Sequence, residues 1–143
     1  MSVYLTNELR EQLLDADDHR CVYCHTTQAN SGYPMVVDHI KPRSRGGLTL
    51  FINLCFACYR CNLFKSDRTE SDDPLTGEMT PLFDPRHQRW TEHFAWSNDG
   101  IQVIGITPEG RVTVIALNMN NDAIVDARRN WVRVGWHPPA VRE

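Results

Sequence analysis

Apolar residues recur at helical spacing in the first stretch of the chain. Leu9, Leu13 and Ala16, flanked by Leu5 and Leu14, predict a helix over 6–17 that Thr6 or Asn7 can cap. Asp15, Asp17 and Asp18 crowd its C-terminal end, against the macrodipole, and predict an early stop. The polar stretch 26–34, with Gly32 and Pro34, reads as a loop. The β-branched run 35–40 predicts a short strand, and 51–56 a second. Between them, Lys41-Pro42-Arg43-Ser44-Arg45-Gly46-Gly47 can neither continue a strand nor start a helix. A helix from about 58 to 66 follows, so the order is strand, loop, strand, helix.

The pattern then thins. Residues 67–85 are poor in apolar side chains and hold Pro74, Gly77, Pro81 and Pro85, which suggests a linker or meandering arm. Apolar runs at 93–96 and 101–106 flank Ser97-Asn98-Asp99-Gly100, the clearest hairpin signal in the chain. Thr107 as cap and Pro108 at the first position favour a helix over 108–117, against the strand propensity of Val112-Thr113-Val114-Ile115. A last helix is expected over 122–134, with Ile124, Ala127 and Trp131 on one side and Arg128 and Arg129 on another. Gly135 and Pro138-Pro139 end it. The class is α+β: a core over 1–68, a linker or arm over 69–89, and a hairpin-and-helix extension over 90–143 packed on the core.

The totals bound this picture. A chain of 143 residues, 41% hydrophobic and 23% charged, can bury one moderate core. No run approaches the roughly 18 apolar residues of a membrane span. The first residues show no basic segment followed by an apolar one, so a cytoplasmic location is expected. Of five cysteines, four form two Cys-x-x-Cys hooks, Cys21/Cys24 and Cys58/Cys61. Two such hooks suit one tetrahedral zinc, and four thiolate ligands leave no open position, so that zinc is structural. The fifth, Cys55, reads as a small buried hydrophobe.

A net charge of −3 does not mark a nucleic-acid binder. The average hides a pattern, since 39–68 carries Lys41, Arg43, Arg45, Arg60, Lys65 and Arg68 against Asp67 alone. Such a loop can contact phosphates with modest, salt-sensitive affinity, or can simply be a solvated surface.

The hooks enclose Asp38-His39 and Asn53, and Asn62 follows the second hook directly. An imidazole titrates near neutral pH and can act as a general base. A carboxylate suits a hard divalent cation. Neighbouring residues on a strand face opposite ways, and the break at Lys41-Pro42 provides the strand end that lets both address one phosphate. In this spacing the chain resembles the HNH endonuclease family. The resemblance covers 21–68 and is carried by Val37-Asp38-His39-Ile40-Lys41-Pro42, by Asn53-Leu54, and by Ala57-Cys58-Tyr59-Arg60-Cys61-Asn62-Leu63-Phe64-Lys65.

The resemblance implies a ββα-metal fold that cleaves DNA phosphodiester bonds. It implies His39 as general base, and Asp38 with Asn62 as ligands of one catalytic cation. Asn53 would brace the loop and so aim His39. The third family position is Asn62 where other members carry a histidine, which favours Mg²⁺ or Mn²⁺. Arg43, Arg45, Arg60 and Lys65 would hold phosphates without reading bases, as monomer or dimer. The rival reading is a non-catalytic zinc module that binds nucleic acid or protein. All four polar residues are retained, which argues against a degenerate centre. The segment 79–137 looks like the tail of small bacterial HNH proteins. His87 and His93 read there as surface or packing residues, and Arg128 and Arg129 as DNA contacts or a solvated face.

Overall fold

Thr6 caps the first helix, α1 (Asn7–Ala16), by accepting from the Leu9 amide. The computed structural model describes residues 5–140, so the outermost residues of the first and last expected segments lie outside the described residues. Leu13 is the buried anchor of α1, which packs on the second strand of the core. The acid at the end of α1 has a use that charge patterning hides. Asp17 is buried, accepts from the Phe56 amide at 2.8 Å and is held by both arms of Arg86 at 2.7 and 3.1 Å. It ties the helix end to the core strand and to a segment far along the chain.

The stretch 26–34 contains one helical turn, α2 (Gln28–Ser31), capped by Thr27 and closed by Gly32 in the left-handed region. β1 (Val36–His39) follows, and pairs antiparallel with β2 (Leu54–Ala57) so that Asp38 lies opposite Cys55 and His39 opposite Leu54. The second strand starts later than its apolar run suggests, because residues Phe51–Asn53 form a 3₁₀ turn. Another 3₁₀ turn, Arg43–Arg45, sits in the basic loop. Cys58 caps α3 (Tyr59–Lys65), which packs back on β1. Strand, loop, strand and helix thus form the expected unit.

Residues 69–89 are folded rather than a bare linker. β3 (Glu70–Asp72) and β4 (Met79–Pro81) form a hairpin, and Leu82 and Phe83 enter the core. The hairpin turn is organised by Asp73, which is buried. Its carboxylate accepts from Leu75 N and Thr76 Oγ1 and takes a two-armed ion pair from Arg111 at 2.8 and 2.9 Å. A stretch held by one buried ion pair shows little apolar signal in its sequence.

α4 (Trp90–His93) leads into the expected hairpin, β5 (Phe94–Trp96) with β6 (Val103–Gly105). α5 (Pro108–Ala116) begins at Thr107 and Pro108 as expected, and α6 (Asp122–Arg133) closes the chain. This half packs on the first through aromatic rings. Trp90 donates its indole N–H to the Tyr23 carbonyl at 2.7 Å and stacks on His25 at 4.2 Å. Arg128 corrects the sequence reading, since it is fully buried. Its guanidinium donates to Ile101 O, Met119 O and Asn120 Oδ1 and lies over the Trp96 ring at 5.3 Å. It satisfies loop carbonyls that no strand partner reaches, and is neither a solvated side chain nor a DNA contact.

Candidate active site and metal centre

The two hooks meet. The sulfurs of Cys21, Cys24, Cys58 and Cys61 all lie within 4.8 Å of one another, and all four residues are buried. Cys24 and Cys58 are 3.7 Å apart, close to the edge of about 3.8 Å that a tetrahedron with Zn–S of about 2.3 Å would have. Each hook folds its second amide onto its first sulfur, Cys24 N to Cys21 Sγ at 3.5 Å and Cys61 N to Cys58 Sγ at 3.4 Å. Burial pushes the Cys21 thiol up, while hydrogen bonds from Cys21, Cys58 and Cys61 pull Cys24 down. Four sulfurs in one dry pocket cannot all ionise unless a cation joins them. The donor set therefore fits zinc.

Arg60 belongs to this centre. Its guanidinium donates to Cys24 Sγ at 3.6 Å. Desolvation lowers its pKa, but the surrounding thiolates, Cys24 foremost, outweigh that and hold it above the ordinary value. Arg60 is thus half-buried against the hook and is not among the residues that line the cleft along β1.

A cleft of about 590 Å³ opens along β1, at the start of the basic loop and the end of α3. Asp38, His39, Arg43 and Asn62 line it, with Arg10 from α1 and Ser66 from the end of α3. Three of the four expected polar residues thus line one cleft, and Asn53 is outside its lining. Its amide accepts from Lys41 N at 2.8 Å and donates to Lys41 O at 3.0 Å and Leu48 O at 2.8 Å. Its own carbonyl takes the Ile40 amide. One side chain thus closes the loop between the strands and fixes where β1 ends. Gly47 completes that closure, because a Cβ there would meet the Lys41 carbonyl oxygen at 1.7 Å.

His39 stands at the strand end with Nε2 2.9 Å from Thr49 Oγ1. Burial lowers its pKa below the ordinary imidazole value; Asp38 opposes the shift, and Arg43 and Lys65 add to it. The ring is therefore neutral at physiological pH, the form a general base requires.

Asp38 departs from the expected open ligand. It is 4% exposed. Its Oδ2 accepts from the Tyr23 hydroxyl at 2.7 Å, and Lys65 Nζ lies 3.2 Å from Oδ1 and 3.1 Å from Oδ2. Burial raises the Tyr23 pKa well above its ordinary value, so the phenol keeps its proton and donates. Lys65 corrects a second expectation. It is 1% exposed, and also donates to the carbonyls of His39 and Ile40 at 3.0 and 3.1 Å. This ammonium caps β1 from inside and cannot reach a DNA phosphate. Cys55 lies buried against the same carboxylate, 3.7 Å away, and desolvation raises its pKa, as suits an inert thiol.

In kind, the Asp38 carboxylate and the Asn62 amide are donors that would fit a hard divalent cation. Oδ1 of Asp38, which accepts from Lys65, keeps acceptor capacity for it. The carboxylate's charge is nevertheless largely met by the ammonium, so such a cation would be held weakly.

Of the expected phosphate contacts, Arg43 lines the cleft and is exposed, while Arg45 donates to the Asp67 carbonyl at 2.7 Å and stays half in solvent. Arg10 adds a cation that sequence reasoning missed, since its neighbours are acidic and no local pattern marks it. Tyr23 and Thr49 were missed as well. Nothing in a single sequence signals that the hook's middle residue touches Asp38. His87 is exposed beside Asp84, and His93 is buried against Thr107 Oγ1, as expected for surface and packing roles.

Residues 21–68 match the family model described as HNH endonuclease. No curated protein and no solved structure matches the chain. No helix among the described residues is long and apolar enough to cross a membrane.

Proposed function

We propose that this chain, whose residues 21–68 are similar to the HNH endonucleases, is a metal-dependent endonuclease that hydrolyses DNA phosphodiester bonds. The observation that carries the reading is the shared cleft: His39, whose pKa burial lowers, lines it together with Asp38, Asn62, Arg43 and Arg10. With Nε2–H of His39 donating to Thr49, Nδ1 takes a proton from water as the oxygen attacks phosphorus. Asn53 holds the loop and strand end that aim the ring. Arg43 and Arg10 hold neighbouring phosphates and position the strand without reading bases. A Mg²⁺ or Mn²⁺ on Asp38 and Asn62 would supply Lewis-acid stabilisation of the leaving 3′ oxygen. Zinc on the four cysteines is structural in this reading and takes no part in the reaction.

A non-catalytic zinc module draws on one observation, the engagement of Asp38 by Lys65 and Tyr23. A plasmid-nicking assay separates the two. The zinc-loaded protein is expected to nick supercoiled plasmid in Mg²⁺ or Mn²⁺, with millimolar rather than micromolar dependence because Asp38 is already neutralised. Binding of plasmid without a nick in any metal of the series would support the module.

A further inference from the structure

The loop that Asn53 closes carries an exposed apolar ridge. Leu48, Leu50 and Ile52 are 64%, 53% and 51% exposed. The residues between them turn inward: Thr49 meets His39, and Phe51 packs on the core beneath the Arg86 guanidinium at 4.5 Å. The alternation holds three large aliphatic side chains in water beside the general base.

The ridge is also held firmly. The Leu48 carbonyl is bonded to Asn53, and Arg45 ties the preceding turn to Asp67. The segment just before the ridge is basic, with Lys41, Arg43 and Arg45; Arg45 lies 4.0 Å from the Asp67 carboxylate and stays half in solvent, and Arg43 is exposed. Exposed apolar side chains that follow a basic segment suit a polyanion with an apolar interior. Duplex DNA offers that at its base steps, where Leu and Ile act as wedges that unstack neighbouring pairs. Single strands are gripped instead by aromatic stacking platforms, which this ridge lacks.

We propose that Leu48, Leu50 and Ile52 form a wedge that enters a base step of duplex DNA and kinks it, presenting the adjoining phosphodiester to His39. The proposal deepens the nuclease reading and rests on it for the location of the scissile phosphate. It implies a preference for flexible pyrimidine–purine steps, which unstack most readily.

The test uses full-length, zinc-loaded protein and a duplex carrying 2-aminopurine, which brightens when unstacked. His39→Ala protein, which holds DNA without cutting it, is expected to raise the fluorescence several-fold. Adding Leu48→Ser, Leu50→Ser and Ile52→Ser should abolish the rise while zinc content stays unchanged; Leu50→Ser alone should reduce it. With His39 left intact, the triple variant should lose about tenfold in duplex nicking, the equivalent of about 1.4 kcal/mol of unstacking. It should regain that loss on a duplex with a single-base bulge, which is already kinked. No fluorescence change at saturating protein, or undiminished nicking of intact duplex by the triple variant, overturns the wedge. So does a dimer in sedimentation that the triple substitution makes monomeric, because the ridge would then bind a second copy. A fluorescence rise that depends on the ridge, with no nicking by the unsubstituted protein in any metal, supports the wedge and defeats only the nuclease reading.

Discussion

Replacing Lys65 with methionine tests whether the ion pair under the candidate site is structural. The ammonium is 1% exposed and makes four contacts, two to the Asp38 carboxylate and two to the carbonyls of His39 and Ile40. Methionine keeps the volume of the stem and removes the charge. Asp38 would then be a buried carboxylate with only Tyr23 and the weak Cys55 thiol to meet it, and two strand carbonyls would lose their donor. Breaking one side of such a pair typically destabilises by about 3–5 kcal/mol. At roughly 2–4 °C per kcal/mol for a chain near this size, the melting temperature should fall by about 6–20 °C. Removing both charges, in Lys65→Met with Asp38→Asn, should recover much of that loss, because no lone charge is left inside. Urea unfolding of zinc-loaded wild type, both singles and the double closes the cycle. A Lys65→Met protein as stable as wild type, or a double variant that sums the two single losses, would refute the argument. Lys65→Met should also leave the salt dependence of DNA binding unchanged, which a phosphate contact could not do.

Three further outcomes follow from the geometry. Arg43→Ala should flatten the plot of log affinity against log salt by about 0.9, the loss of one phosphate contact, as read by DNA-binding titrations at several ionic strengths. Chelating the zinc, or Cys58→Ser, should unfold residues 21–68, since a structural zinc contributes folding energy directly; an unchanged far-UV spectrum after verified zinc loss would count against the hooks. His137 is held at about 4, first by burial and then by the Arg128 charge, while its Nε2 lies 3.0 Å from the Gly100 carbonyl. The unfolded chain binds this proton near pH 6.5 and the folded one does not, so stability should be full above that pH and decline as pH falls towards 4. His137→Gln should show a smaller decline over that window in thermal melts.

The core was legible because its signals are local. Two hooks, a β-branched run, a Pro-Gly break and a second apolar run name the zinc centre and the strand-loop-strand-helix order from adjacent residues. Thr107-Pro108 likewise overrides the strand propensity of the residues after it, because a cap and a proline act on the backbone at the helix start. What was not legible depends on distant pairing. Lys65 and Arg60 look like surface cations until β1 and the hooks close over them. Arg128 looks like a helix's wet face until the loops at Ile101 and Met119 present carbonyls to it. Residues 69–89 look like a linker because Asp73 and Arg111, separated in sequence, replace the apolar pattern that a hairpin would otherwise show.

In the proposed reaction His39 activates the attacking water in a cleft it shares with Asp38 and Asn62. Its most direct test is a time course of supercoiled-plasmid nicking in Mg²⁺ and Mn²⁺ for wild type and His39→Ala, each shown to hold its zinc and to melt alike. Wild type is expected to nick, and His39→Ala to show nothing above background. Equal rates in the two proteins would contradict it.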